Sequence, residues 1–392
     1  MAGTGKAHLR TDDDILLRVE DMVVNFPVAD GVVHAVSGIS FDVAQGETLG
    51  LVGESGCGKS TTAKAIVQIP RPTSGSVDFR GTELTELRAD ELRAKRSEIQ
   101  MIFQDPIASL NPRRTVRRIV SEGLVVSNTR VSVPGWIAMF AGLILLLAGI
   151  FTTWVVAVIG AITLLGGAFL VLGNVYRPPI GEFADARVDE IITAVGLDPE
   201  EAAKRRPHEY SGGQCQRVSV ARTLVLDPEI VICDEPLNML EDMKERYGLT
   251  LVFISHDLSV VRNVSDRIAV MYLGKICEIG DGDLIFAEPA HPYTQVLLAA
   301  LPDPTNPHAG SAEALDTELP SPINPPSGCR FRTRCPSAED LCAEQEPEIA
   351  QVGDGDQWVA CHFPLRAVGL GRWRVLGPRA CVLPGDLAQT PR

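Results

Sequence analysis

Positive charge is in short supply in this chain. Lys and Arg number 36 against 50 Asp and Glu, which leaves a net charge of −14. That balance argues against a nucleic-acid partner, because neutralising a run of phosphates takes a basic face. An apolar leader is also missing. Met1 to Asp14 is polar throughout, so no secretory signal is expected and the cytoplasm is the expected compartment. Nine cysteines are present, yet no C-x-x-C pair is among them, so the zinc-ribbon spacing is absent. The last absence is local: residues 131–176 contain no Asp, Glu, Lys, Arg or His. This stretch divides into two apolar runs, Trp136 to Phe151 and Trp154 to Gly173, around Thr152 and Thr153. One span takes about 20 apolar residues, so the stretch predicts a tight two-helix membrane hairpin. Arg130 and Arg177 flank it and would keep both ends on the cytoplasmic side. A buried core hairpin, or a graft from an unrelated reading frame, fits the same composition.

What the chain does have begins with Gly53-Glu54-Ser55-Gly56-Cys57-Gly58-Lys59-Ser60-Thr61. This run fits G-x-x-x-x-G-K-[ST], a phosphate-binding loop. Glycines let successive backbone N–H groups converge into a concave anion site. Lys59 can reach the β- and γ-phosphates of a nucleoside triphosphate, and the Ser60 hydroxyl can take a place on Mg²⁺. Glu47 to Val52 reads as a buried strand before the loop. Thr61 to Val67 reads as a helix after it, with its N-terminus aimed at the phosphates.

At 392 residues the chain has room for more than one domain. Ile15 to Val43 alternates as antiparallel strands do. Gly75 to Phe79 and Ile99 to Phe103 read as strands, and Arg113 to Val126 and Val188 to Val195 as helices. Glu229 to Asp234 and Leu249 to Ile254 read as buried parallel strands. Arg267 to Leu273 and Lys275 to Ile279 read as a closing hairpin around Gly274. Pro302 to Pro326 reads as an extended linker, and Arg366 to Arg392 as an irregular tail.

Asp234 and Glu235 end an apolar strand. Beside a phosphate loop, the first acid can hold Mg²⁺ and the second can orient or deprotonate an attacking water. Tyr210-Ser211-Gly212-Gly213-Gln214 precedes a helix expected over Gln216 to Leu226, an arrangement suited to a γ-phosphate. Four cysteines, Cys329, Cys335, Cys342 and Cys361, crowd together near the C-terminus. A reducing compartment favours a metal or cluster there over disulfides. Their spacing supports four thiolates converging on one ligand and leaves zinc, an iron–sulfur cluster, a disulfide or no ligand open.

Taken in order, these motifs resemble the ATP-binding subunit of a dipeptide/oligopeptide ABC importer. The Ser211 to Gln214 loop resembles the cassette signature. The narrower likeness rests on Gln104-Asp-Pro-Ile-Ala-Ser-Leu-Asn-Pro112, on His291-Pro-Tyr-Thr-Gln-Val-Leu-Leu298, and on the block from Gly328 through Cys335 to His362. The resemblance implies an α/β fold: a P-loop nucleotide-binding domain with a RecA-like core, an antiparallel β subdomain and a helical subdomain. That domain would span 1–130 and 177–300, interrupted by the apolar hairpin 131–176. A cysteine-rich extension over 301–365 and a tail over 366–392 would follow.

The resemblance also assigns roles. Gln104 reaches Mg²⁺ and the water, and His256 contacts the γ-phosphate. Phe26 stacks on adenine, with His34 as the alternative. Ser211, Gly212, Gly213 and Gln214 grip an ATP bound to the opposite subunit. The four cysteines hold a [4Fe–4S] cluster. The implied partners are a second ATPase subunit, two transmembrane permease subunits and an external solute-binding protein at the plasma membrane. One departure stands out. The family continues from Asp-Glu-Pro into a short Ser-Ala-Leu-Asp loop, whereas here Pro236 runs straight into Leu237. About a dozen residues are missing, yet a parallel crossover needs only ~10–12, so the sheet can still close. The gap raises a second expectation, a subunit that binds nucleotide but hydrolyses it weakly beside an active partner. A non-transport soluble cassette is a third.

Overall fold

The computed structural model describes residues 6, 8–11, 14–128, 141, 143–144, 161–165, 182–234, 239–255, 258–301, 318–367 and 373–375. They divide into two units, Met1–Asp105 with Pro228–Arg392, and Pro106–Asp227.

In the first unit, β1 (Ile15–Val28) and β2 (Gly31–Ala44) form an antiparallel hairpin. β1 buries Leu17 and Val19, then Met22 and Val24, so its alternation changes phase midway. The register shifts between Val19 and Met22, and Asp21 sits at φ 49°. This bulge keeps both apolar pairs on the core face, where an uninterrupted strand would have turned the second pair to solvent. After β3 (Thr48–Val52), β4 (Ser74–Phe79) and β5 (Thr82–Glu83) complete a four-stranded sheet in the order β2-β1-β4-β5.

The second sheet carries the chemistry. Its further strands are β6 (Ile99–Ile102), β7 (Ile230–Asp234), β8 (Thr250–Ser255), β9 (Arg267–Tyr272), β10 (Lys275–Asp281), β11 (Ala350–Gln351) and β12 (Gln357–Val359). The order is β11-β12-β10-β9-β3-β8-β7-β6. β9, β3, β8, β7 and β6 run parallel. Every residue of β3, β7 and β8 is buried, as strands covered on both faces require. The helix Met239–Tyr247 lies between β7 and β8 in the chain, and the two strands pair in parallel from Ile230↔Thr250. β10 returns antiparallel through Gly274, which sits at φ 78°. The chain from beyond residue 349 then adds β12 and β11 to the same sheet.

A buried charge network ties the two sheets together. Asp42 is fully buried and accepts from Arg10 Nε at 2.8 Å and from Arg267 Nη1 at 3.0 Å. Glu47 completes it, accepting from Arg10 Nη2 at 2.6 Å.

The second unit is helical. Helices Val116–Asn128 and Glu182–Ala194 bury Val116, Ile119 and Val120, and Val188, Ile191 and Ile192. That i, i+3, i+4 spacing is the stripe of an amphipathic helix. Arg117 links the two helices through Asp185 and Asp189.

Three expectations change. The helix foreseen from Gln216 runs over Gly212–Leu224 instead. Ser211 caps it: its Oγ accepts from Gln214 N–H at 3.3 Å, and Gln214 Oε1 accepts from Ser211 N–H at 2.9 Å. This reciprocal box nucleates the helix one turn early. The tail foreseen as irregular from Arg366 contains a short hairpin, β13 (Leu365–Ala367) with β14 (Trp373–Val375). The linker foreseen over Pro302 to Pro326 is described only from residue 318, and it is not free there. His34 N–H donates to Pro322 O at 3.0 Å. The apolar hairpin at 131–176 lies outside the described residues, apart from 141, 143–144 and 161–165, which are helical. Among the described residues no helix is long and apolar enough to cross a membrane.

Candidate functional site

β3 ends at Val52, the loop turns, and the helix Lys59–Ile66 begins. Gly53, Gly56 and Gly58 have φ of 151°, 83° and 108°, values that disfavour any side chain. Space makes the same demand at two of them. A Cβ on Gly53 would lie 2.1 Å from Met271 O, and one on Gly58 2.3 Å from Ala35 O. The loop is thus fixed between β2 and β9. The Lys59 side chain is buried and folds back over the loop, donating to Gly53 O at 2.7 Å and Glu54 O at 2.9 Å. Cys57 lies beneath it, fully buried, and burial pushes its thiol pKa up while the Lys59 charge pulls it down.

Ser60 Oγ donates to Asp234 Oδ1 at 3.0 Å. Two of the residues expected on Mg²⁺ therefore meet, although Ser60 stands in the first turn of the helix after β3 and Asp234 ends β7. Hydroxyl and carboxylate oxygens are the hard donors that Mg²⁺ takes, so the pair fits that ion. Gln104, just past β6, lines the same cavity of about 370 Å³. Ser55, Gly56, Gly58, Lys59 and Thr61 line it too, as does Ser255 at the end of β8. Phe26 and His34, from β1 and β2, both face it. Phe26 is 37% exposed, and His34 Nδ1 lies 3.0 Å from Asn25 Oδ1. An exposed aromatic ring beside a phosphate loop can stack on a base.

Glu235 and His256 lie outside the described residues, as does the junction 235–238 where the Ser-Ala-Leu-Asp loop is missing. Their neighbours Asp234 and Ser255 line the cavity. Ser211, Gly212, Gly213 and Gln214 belong to the helical unit. There they are exposed at the N-terminus of Gly212–Leu224, and a Cβ on either glycine would meet nothing within 4 Å.

The sequence did not reveal which residues support the loop. Arg334 Nη1 donates to both carboxylate oxygens of Glu54 at 3.0 Å. Tyr293 Oη accepts from the Glu54 N–H at 2.9 Å. Pro322 lines the cavity beside His34. Tyr293 could be found as part of His291-Pro-Tyr-Thr, but no signal linked Arg334 to a residue 280 positions away.

The four C-terminal cysteines all line one cavity of about 10 Å³, together with His291 and His362. The iron–sulfur expectation is nevertheless not met by this geometry. Among the described residues no group of three or more His, Cys, Asp or Glu could hold a metal ion. The space is about that of a single water, too small for a cluster. Burial also pushes the Cys335 and Cys361 thiols up, and Cys329 to about 11. The donors are soft enough for such a group, but they are not spaced for it, and no step is derived through one.

The ABC transporter family profile matches residues 36–238. The chain belongs to the ABC transporter family. A second profile, the C-terminal region of oligopeptide/dipeptide transporters, matches residues 277–342 of this cassette protein. The oligopeptide transport ATP-binding protein OppF of Escherichia coli (strain K12) is 40% identical over 358 residues, covering 86% of this chain and 92% of that one. The putative oligopeptide transport ATP-binding protein YkfD of Bacillus subtilis (strain 168) is 40% identical over 363 residues, covering 89% and 95%. Among solved structures, an ATP-binding cassette dimer in a post-hydrolysis state with ADP and phosphate superposes with a TM-score of 0.50. It is 23% identical and covers 68% of this chain and 98% of that one. Another, cbiO1 of Clostridium perfringens, gives 0.50 at 24% identity, covering 70% and 91%. Both share the cassette fold.

Proposed function

We propose that this chain is the ATP-hydrolysing subunit of an ABC importer for peptides, acting at the cytoplasmic face of the plasma membrane. The observation that carries this reading is the meeting of Lys59, Ser60, Asp234 and Gln104 around one cavity. The chain's C-terminal region matches peptide transporters. Relatives in two bacteria are named for oligopeptide transport.

In this reading Lys59 exchanges the carbonyls of Gly53 and Glu54 for the β- and γ-phosphate oxygens of ATP. The N–H groups of the loop bind the same oxygens. Ser60 and Asp234 hold Mg²⁺, which when bound offsets phosphate charge, and Gln104 stands beside them. Glu235 takes the proton of the water that attacks the γ-phosphorus. His256 holds the γ-phosphate. Phe26 or His34 supports the adenine. Ser211 to Gln214 reach the ATP of a second cassette, so two subunits share two nucleotides. Two permease subunits and an external solute-binding protein complete the transporter. The apolar stretch 131–176 sits at the membrane in this arrangement; within it Ile144, Ile162 and Leu165 are 65–68% exposed.

In the assembled transporter, Mg²⁺-dependent ATP hydrolysis is expected, and Lys59→Ala or Glu235→Gln abolishes it. Hydrolysis that persists in both variants would remove the site assignment. The shortened connection after Asp234 favours one further reading, a subunit that binds ATP but turns it over weakly beside an active partner. Under that reading, turnover stays low in the unmodified chain and rises when a Ser-Ala-Leu-Asp loop is inserted after Pro236.

A further inference from the structure

The cysteine-rich extension grips the phosphate loop. Arg334, the residue before Cys335, is 3% exposed, and its guanidinium binds both oxygens of Glu54. The same Nη1 lies 3.4 Å from Tyr272 Oη, and the guanidinium carbon stands 5.8 Å from the Tyr272 ring centre. Glu54 is held a second time through its N–H by Tyr293 Oη. Tyr272, Tyr293 and Phe331 pack with ring centres 4.8–5.2 Å apart, so the extension supplies one ring of that support. Arg330 binds the Leu273 carbonyl, and the next residue, Gly274, donates to Cys57 O at 2.8 Å. The extension therefore holds Glu54 directly, and Cys57 through the Leu273–Gly274 peptide that Arg330 binds.

Charge gives this contact a consequence. Glu54 is an acid inside a loop built to hold a triphosphate, and it is only 20% exposed. Left alone, its carboxylate would repel the phosphates, because partial burial weakens solvent screening. Arg334 cancels that charge with paired, charge-assisted hydrogen bonds. The Glu54 carbonyl is also one of the two that hold Lys59, so the same residue sets where the lysine waits.

We propose that Arg334 is a positioning residue of the nucleotide site that acts through Glu54, neutralising it and holding the loop open for a triphosphate. The inference rests on the reading of Gly53 to Thr61 as the ATP site. The test uses the full chain, a fluorescent ATP analogue with Mg²⁺, and the thermal midpoint of each variant. Arg334→Met should weaken ATP binding about tenfold, a size ordinary for coupled neighbours. Adding Glu54→Gln to Arg334→Met should restore affinity to within about threefold of the unmodified chain, since the exposed charge is gone. Arg334→Lys should fall between. If Arg334→Met does not fold, Glu54→Gln alone carries the test and should bind ATP at least as well as the unmodified chain. A double variant as weak as Arg334→Met, no change on Arg334→Met, or weakened binding by Glu54→Gln would overturn the proposal. Failure of the underlying reading looks different: Lys59→Ala would then bind ATP as well as the unmodified chain, and the Arg334 proposal would fall with it.

Discussion

Two cavities of this chain lie in one unit and have opposite characters. The cavity at the phosphate loop measures about 370 Å³ and is lined by an ammonium, a carboxylate, hydroxyls and the turns of a glycine loop. The cavity at the cysteines measures about 10 Å³ and is lined by thiols, imidazoles and Phe331. The first is an open space held by glycines at positive φ, where a side chain would be strained, as a ligand site needs. The second is nearly filled, as a packing centre is. The link between them is aromatic: Phe331 lines the small cavity and packs on Tyr272 and Tyr293, which reach Arg334 and Glu54. A filled hub thus stiffens an open site.

The largest effect should come from emptying the hub. Phe331 is 1% exposed, and Phe331→Ala should cost about 3–5 kcal/mol of stability, read by denaturant unfolding. If the two cavities are linked, ATP affinity in the folded fraction should drop as well. Unchanged affinity would separate them. Next comes Lys59→Ala, which should lower ATP turnover roughly 100–1,000-fold, the usual loss of one electrostatic contact to a transition state. Its thermal midpoint should move little, because the lysine's partners, the Gly53 and Glu54 carbonyls and Cys57 Sγ, all lie within the loop. A large drop in midpoint would mean that the open site is also a packing element.

A third, intermediate effect concerns pH. His291 is fully buried against the hub and its pKa is pushed down to about 3 by burial. Its Nδ1 accepts from Tyr293 N–H at 3.0 Å, which needs the neutral ring. The unfolded chain binds a proton below about pH 6.5 that the folded chain refuses. Stability should therefore decline as pH falls from about 6.5 toward 3, and His291→Asn should flatten that decline. The buried carboxyl of Glu278, which accepts from His291 N–H, is pushed up and works in the opposite sense as pH rises. Comparing variant with parent isolates the histidine. The smallest change is expected from Cys335→Ala, at the partly exposed rim of the cysteine cavity. Unless the thiol serves as a ligand, removing its one sulfur should cost no more than about 1 kcal/mol. A much larger loss in anaerobically purified protein would show that the cavity holds more than side chains.

Legibility in the sequence followed distance along the chain. Gly53 to Thr61 could be read because its strand, loop and helix are consecutive, and glycine spacing alone specifies the turn. Asp234 could be read as a partner only by pattern, since its 3.0 Å approach to Ser60 depends on β3, β8 and β7 lying side by side. The early start of the helix at Gly212 was hidden by its glycines, which lower helix propensity, while the Ser211–Gln214 cap overrode them. The bulge at Asp21 was hidden because alternation counts residues and cannot show which one drops out of register. Arg334 was the least legible: nothing local pairs it with Glu54, 280 positions away.

Peptide uptake by the reconstituted transporter decides most directly whether this site powers import. Proteoliposomes carrying the permease subunits, the cassette subunits and the solute-binding protein would be loaded with Mg-ATP, and uptake of a labelled oligopeptide followed. Uptake should depend on ATP and disappear when Glu235→Gln replaces the unmodified chain. Uptake at an undiminished rate with Glu235→Gln and Lys59→Ala together would contradict it.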